Sequence, residues 1–240
     1  MKINDRLMMI ANKIPYCRIL TDVGTDHAYI PIYAVKQGLC FRALAVDLRR
    51  GPLKAAHANI KRHGLEKSIE TRLGNGLESI MHSECDVIVI AGVGGLLISD
   101  ILSVSVEKAR KAQLLLLQPN SAIDVLRRWL YENGFEIVEE TLKMDAGKIY
   151  CLVSAKWTDS AVKKDEFVYY FGEKLFAGNN PLLQKYLEIK LKELDKIIEG
   201  RSRSYQGGNC EAEFGIKGMD TATCVYLRNK LFDYLKDEKS

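Results

Sequence analysis

Two stretches of the chain, FEIVEETLKM (135–144) and KIYCLVSAKW (148–157), are dense in β-branched, aromatic and other apolar residues, and only Asp145, Ala146 and Gly147 separate them. Three residues cannot hold a crossover helix, so the two strands must run antiparallel. What precedes them reads differently. Short apolar segments at 18–22, 42–47 (RALAVD), 69–76 (IETRLGNG), 86–95 (DVIVIAGVGG) and 112–120 (AQLLLLQPN) alternate with helical patterns. One helix is expected over 28–37; another lies within GPLKAAHANIKRHG (51–64), where Leu53, Ala56 and Ile60 form a stripe that Gly64 ends. Strands alternating with helices imply a parallel sheet covered on both faces. The sequence therefore predicts an α/β fold with a mostly parallel sheet of seven strands, reversed at its last member.

The pattern changes near residue 158. PLLQKYLEIKLKELDKIIEG sets Leu187, Leu191, Leu194 and Ile198 at spacings of 4, 3 and 4, a coiled-coil-like seam. GRSRSYQGGNCEAEFG reads as a mobile connection, and Cys224, Leu227, Leu231 and Leu235 mark a second helix. These two helices form either a hairpin or separate caps on the main domain. The expected division is 1–157 for an α/β domain and 158–240 for a helical one.

With 240 residues there is room for one large domain and an appendage. The six cysteines form no CxxC pair and no set with histidine at metal-ligand spacing, which suggests reduced, structural thiols, no metal and a cytoplasmic setting. No apolar run approaches a membrane span, and the N-terminal stretch is amphipathic rather than a leader, so no membrane partner is expected. Net charge is only +4, but residues 1–72 hold 13 basic against 6 acidic side chains, with Arg49, Arg50, Lys54, Lys61, Arg62 and Lys67 closely spaced. Such a face attracts a polyanion, unless it is simply a solvated helix surface.

In doubly wound sheets ligands bind at the carboxyl ends of the strands. Those ends carry Asp22 with Gly24, Asp47, Asn75 with Gly76, Gly92 to Gly95, and Gln118-Pro119-Asn120. Asp47 follows Gly24 by 23 residues, the place from which an acid takes a ribose hydroxyl pair. The first loop, DVGTDHAYIP (22–31), departs from a dinucleotide loop because Asp26 and Ala28 stand where further glycines would admit a pyrophosphate. Carboxylates at 22 and 26 repel phosphate and attract a cation. S-adenosylmethionine carries a sulfonium and an ammonium and no phosphate. Rossmann-like methyltransferases that use it also end their sheet with a reversed strand.

Residues 3–157 resemble the bacterial tRNA (adenine-N1) methyltransferases that modify the adenine at position 22 of tRNA. DVGTDHAYIP (22–31), AVDLRRGPLKAA (45–56), RLGNGL (72–77), IAGVGG (90–95) and LQPN (117–120) carry the likeness. Departures are Asp47, where such proteins often have Glu, Asn75 for Asp, and Val93 for Met. The resemblance implies a Rossmann-like class I S-adenosylmethionine-dependent methyltransferase fold with a C-terminal α-helical hairpin, a cytoplasmic monomer acting on tRNA. It implies that Asp22, Gly24 and Asp26 cradle the methionine end of the cofactor, Asp47 the ribose, and Asn75 with Gly76 the adenine. Gly92 and Gln118 would complete the cofactor set on the side that faces the acceptor.

Asp26, His27 and Asn120 are the catalytic candidates, with Asp26 first as the carboxylate that would stabilise charge on the methylated base. Each has a structural rival: Asp26 and Asn120 could cap the helices that follow them, and His27 could be a first-turn packing residue. The segment after the fourth strand, Ala91 to Gly95, lacks the Pro-Pro-aromatic signature of enzymes that methylate exocyclic amines, which favours a ring nitrogen. Other readings are a methyltransferase for a small molecule or protein, a non-catalytic RNA-binding module, and, last, a nicotinamide oxidoreductase.

Overall fold

The computed structural model describes residues 3–178, 180–206 and 219–237. The chain divides into two compact units, Met1–Lys163 and Lys164–Ser240. In the first, α1 (Asp5–Ala11), capped by the Asn4 carboxamide accepting the Leu7 N–H at 2.9 Å, leads into β1 (Cys17–Val23), α2 (Tyr29–Lys36), β2 (Cys40–Asp47) and α3 (Arg50–Arg62). There follow β3 (Ile69–Leu73), β4 (Val87–Val93), α4 (Gly95–Val104), α5 (Val106–Lys111), β5 (Leu114–Pro119), α6 (Ile123–Glu132), β6 (Phe135–Asp145) and β7 (Lys148–Trp157).

The strands form one sheet in the order β3-β2-β1-β4-β5-β7-β6. β1 to β5 are mutually parallel, and β7 runs antiparallel to both β5 and β6. The connection after β6, Ala146 and Gly147 alone, is shorter still than the three residues read from the sequence, and it dictates this reversal. Leu20, Ala45, Val87, Val89 and Leu116 in the strands pack with Ile10, Ile32, Ala56 and Ile60 of the helices in one buried core cluster. Removing such apolar area from water contributes roughly 25 cal/mol per Å². α3 buries Ala56, Asn59 and Ile60 and leaves its lysines and arginines outside, so one helix serves the core and presents a cationic surface. An ion pair with almost no solvent exposure, Arg127 Nε to Glu140 Oε1 at 2.7 Å, joins α6 to β6.

Strand order places the functional ends together. The sheet reverses direction of growth between β1 and β4, so Asp22, Gly24 and the Gly92 region flank the switch point where such sheets bind ligands.

The second unit holds α7 (Glu166–Phe171), α8 (Glu173–Ala177), α9 (Leu183–Gln206) and α10 (Thr221–Asp237). α9 and α10 pack on each other, with Leu187, Leu194, Cys224, Leu227 and Leu231 buried and Leu191 and Leu235 half-buried. Ile197 rather than Ile198 is the buried member of the next α9 turn after Leu194. The helix also continues to Gln206, so the start of the expected connection is helical; residues 207–218 lie outside the described residues. The two short helices were not foreseen. Tyr169, Tyr170 and Phe171 of α7 are buried, and Asp165 caps that helix by accepting the Phe167 N–H at 2.8 Å. Among the described residues no helix is long and apolar enough to cross a membrane.

Candidate active site

A cavity of about 270 Å³ opens at the carboxyl end of β1, lined among others by Arg6, Asp22, Gly24, Thr25, Asp26 and His27. Gly24 has φ +77°, a conformation costly for any residue with a Cβ, and a Cβ built there would meet nothing within 4 Å. The glycine is therefore required by its backbone, and open space lies over it where a ligand can approach the main chain.

Asp22 is buried, and burial pushes its carboxyl up to about 6; the Asp47 carboxylate reinforces the rise, while the Thr25 hydroxyl and the Arg6 guanidinium oppose it. Asp47 closes β2 with its side chain also buried, its Oδ1 accepting the Arg49 N–H at 2.7 Å. Two shielded carboxylates thus stand at adjacent strand ends, with Arg49 Nε 3.6 Å from Asp47 Oδ1.

Asp26 stands at the rim, its side chain 76% exposed, with His27 Nε2 3.6 Å away. The His27 ring stacks on Tyr29 at 5.2 Å between centroids, and the His27 carbonyl accepts from Asn59 Nδ2 at 2.8 Å. Asp26 does not cap α2. That position belongs to Ala28, which takes left-handed backbone (φ +53°) and offers no side-chain bond. α6 begins in the same way, on Ala122 at φ +50°, so Asn120 is not a cap either. Left-handed alanine costs roughly 1–2 kcal/mol, and each instance directly follows a candidate loop, a place where strain sets the aim of side chains.

The β4 and β5 ends are laced together. The β4 register shifts between Ala91 and Val93, around Gly92 at φ +80°, which frees the Gly92 carbonyl to accept Asn120 Nδ2 at 2.7 Å. Asn120 N–H donates to the Val93 carbonyl and Gly95 N–H to that of Ser121, both at 2.7 Å. Gln118, fully buried, receives Arg6 Nη1 on its Oε1 at 2.7 Å.

Asn75 and Gly76 do not line the cavity at the β1 end. Asn75 borders a smaller one of about 90 Å³ with Leu97, Asp100, Ile101 and Val104, and its Nδ2 donates to Glu78 Oε1 at 2.8 Å. Gly76, at φ +57°, lies where a Cβ would come within 2.8 Å of the Ile101 side chain. Arg6, Thr25 and Tyr29 were missed by sequence reasoning. Tyr29 had a signal, an exposed aromatic two residues past His27, whereas nothing local in α1 announces that Arg6 reaches β5. Among the described residues no group of three or more His, Cys, Asp or Glu side chains could hold a metal ion.

This strand order, with acids closing β1 and β2 and no phosphate loop, defines a methyltransferase, and the family model described as a methyltransferase domain matches residues 3–153. A Bacillus subtilis tRNA (adenine(22)-N(1))-methyltransferase is 36% identical over 178 residues, covering 74% of this chain and 72% of that protein. The solved B. subtilis m1A22 tRNA methyltransferase superposes with a TM-score of 0.76 at 30% identity, covering 98% of this chain and 96% of that one. A Streptococcus pneumoniae protein described as a candidate tRNA (m1A22) methyltransferase, solved with S-adenosyl-L-methionine, gives 0.80 at 31% identity over 96% of this chain and 98% of its own. The chain belongs to the tRNA (adenine(22)-N(1))-methyltransferase family.

Proposed function

We propose that this protein transfers a methyl group from S-adenosylmethionine to N1 of adenine 22 in tRNA, acting as a monomer in the cytoplasm. The observation that carries the reading is the pair of buried carboxylates, Asp22 and Asp47, beside an open glycine turn that holds no phosphate cradle. The donor supplies a methyl group activated by a sulfonium. Asp22, Gly24 and Thr25 suit its cationic end, and Asp47, with Oδ2 free of hydrogen bonds among the described residues, suits the ribose. Asn75, on the smaller cavity, and the adjacent Gly76 suit the adenine.

Ring N1 attacks through a neutral lone pair, so the chain need only align the two reactants and answer the positive charge that forms on the base. Asp26 is placed to stabilise that charge or to take a proton from the exocyclic amine. The stacked His27 and Tyr29 rings offer a face for a base turned out of the RNA. Unmodified tRNA transcripts carrying A22 should take up labelled methyl, and transcripts with guanine at that position should not.

Because Ala28 occupies the cap position, an Asp26→Ala effect cannot be charged to α2. The substitution should lower kcat by about 100-fold or more while tRNA affinity changes by about threefold or less, read from single-turnover rates and filter binding. Equal losses in both would remove Asp26 from the chemistry.

The RNA backbone is assigned to α3 and its flanks. Arg50, Lys54, Lys61, Arg62 and Lys67 are exposed and make no ion pair among the described residues. Replacing Lys54, Lys61 and Arg62 by alanine should weaken tRNA binding and flatten its log–log salt dependence by about one unit per cation lost. An unchanged salt slope would place the RNA elsewhere.

A further inference from the structure

We propose that Arg6 is a positioning residue of the methyl-transfer site, holding Gln118 and, through it, the Asn120 amide in place against the acceptor base; this rests on the reading above. Arg6 lies in α1, 112 residues from Gln118 in sequence, yet its Nη1 donates to Gln118 Oε1 at 2.7 Å. Gln118 Nε2 donates in turn to Asn120 Oδ1 at 3.1 Å and to the Pro119 carbonyl at 2.9 Å. Asn120 Nδ2 ends the series on the Gly92 carbonyl at 2.7 Å. The guanidinium also sits 5.7 Å over the Tyr150 ring, which holds it from another side.

Donor and acceptor inventories give this chain one solution. Arg can only donate and a backbone carbonyl can only accept, whereas each amide between them could face either way. With the first and last groups fixed, Gln118 must turn its oxygen to Arg6 and its nitrogen to Asn120. Asn120 must then turn its oxygen to Gln118 and its nitrogen to Gly92. Without Arg6, the Pro119 and Gly92 carbonyls still set the polarity of the two amides, but the buried Gln118 Oε1 loses its donor and nothing holds the Gln118 side chain against Asn120 from the α1 side.

The polarity has a chemical consequence. Asn120 is exposed at the end of β5, so the spare lone pair of its oxygen remains available. An amide oxygen accepts from the exocyclic amine of adenine and leaves ring N1 alone. A reversed amide would offer an N–H to N1 and occupy the lone pair that must attack the methyl group. Arg6 lines the cavity assigned to the donor but reaches the acceptor side only through Gln118.

The test compares wild type with Arg6→Lys, Arg6→Gln, Gln118→Glu and the Arg6→Gln/Gln118→Glu double variant, on unmodified tRNA transcripts. Arg6→Lys keeps a donor-only cation and should retain most of kcat. Arg6→Gln is shorter and uncharged, cannot hold Gln118 Oε1 from α1, and should lose about tenfold or more in kcat, with KM for tRNA within about twofold. Gln118→Glu keeps an acceptor for Arg6 but has no donor for Asn120 or the Pro119 carbonyl, so its kcat should fall as far. The double variant should be no worse than either single one. Arg6→Gln should also move the acid limb of donor binding to higher pH, because Asp22, faced by Asp47 and Thr25, loses its cation. The proposal is overturned if Arg6→Gln or Gln118→Glu keeps wild-type kcat, if Lys and Gln at position 6 are equally damaging, or if the single losses multiply. Absence of methylation by the wild type would sink the underlying reading instead.

Discussion

Asp22→Asn should abolish donor binding while making the ligand-free protein more stable at neutral pH. Burial lifts the Asp22 carboxyl from 3.8 to about 6, so the folded chain holds that proton more tightly than the unfolded chain does. The group's effect on stability is therefore most favourable below about pH 4 and is lost as pH rises through about 6; at pH 7 the ionised form costs up to about 3 kcal/mol. Asparagine removes that charge, and the thermal midpoint at pH 7.5 should rise. In the proposed site the same charge would face the sulfonium and the ammonium of the donor. Calorimetry should find donor affinity reduced by about 100-fold or more in the variant, in line with the loss of a buried charge partner. In the wild type, affinity should be level above about pH 7 and decline as pH falls through about 6, approaching about tenfold per unit. Retained affinity in Asp22→Asn, or a flat pH profile in the wild type, would contradict the electrostatic role.

Gly95→Ala should be the most damaging single methyl group that can be added to the site. A Cβ at Gly95 would lie 2.1 Å from the Ala122 carbonyl oxygen and 2.8 Å from its carbon, and both belong to backbone. No rotamer change can relieve that overlap. The β4–α4 junction must separate from the β5–α6 loop, breaking the 2.7 Å bond from Gly95 N–H to Ser121 and loosening Asn120 one residue earlier. Urea unfolding should show a loss of more than about 3 kcal/mol, the range for severe overpacking. Gly94→Ala is the control: its Cβ would meet only the Ser121 hydroxyl at 3.1 Å, which a side-chain rotation accommodates. Similar stability in the two variants would mean that the loops are not held against each other as described.

The sheet was legible because its central strands β1, β4 and β5 are mostly buried on both faces and read as apolar runs, and because so short a link between β6 and β7 allows one direction only. Asp22, Gly24 and Asp47 were legible through position: each sits where an apolar run ends, and topology brings those ends together. What stayed hidden depended on contacts remote in sequence or on unusual backbone. The reach of Arg6 to Gln118 spans half the chain and leaves no periodic trace. Asp26 and Asn120 looked like helix caps because acids and amides before apolar stripes usually are. Left-handed backbone at Ala28 and Ala122, a conformation alanine rarely takes, moved the helix starts past them. The α7 segment EFVYYF is too short and too uniformly aromatic to show either period, so its buried tyrosines emerged only from the fold.

The most direct test of the central claim is nucleoside mapping of tRNA incubated with this protein and labelled S-adenosylmethionine. Digestion and mass spectrometry should recover the label as 1-methyladenosine from position 22. Label recovered on an exocyclic amine, at another nucleotide alone, or only outside RNA would contradict the account.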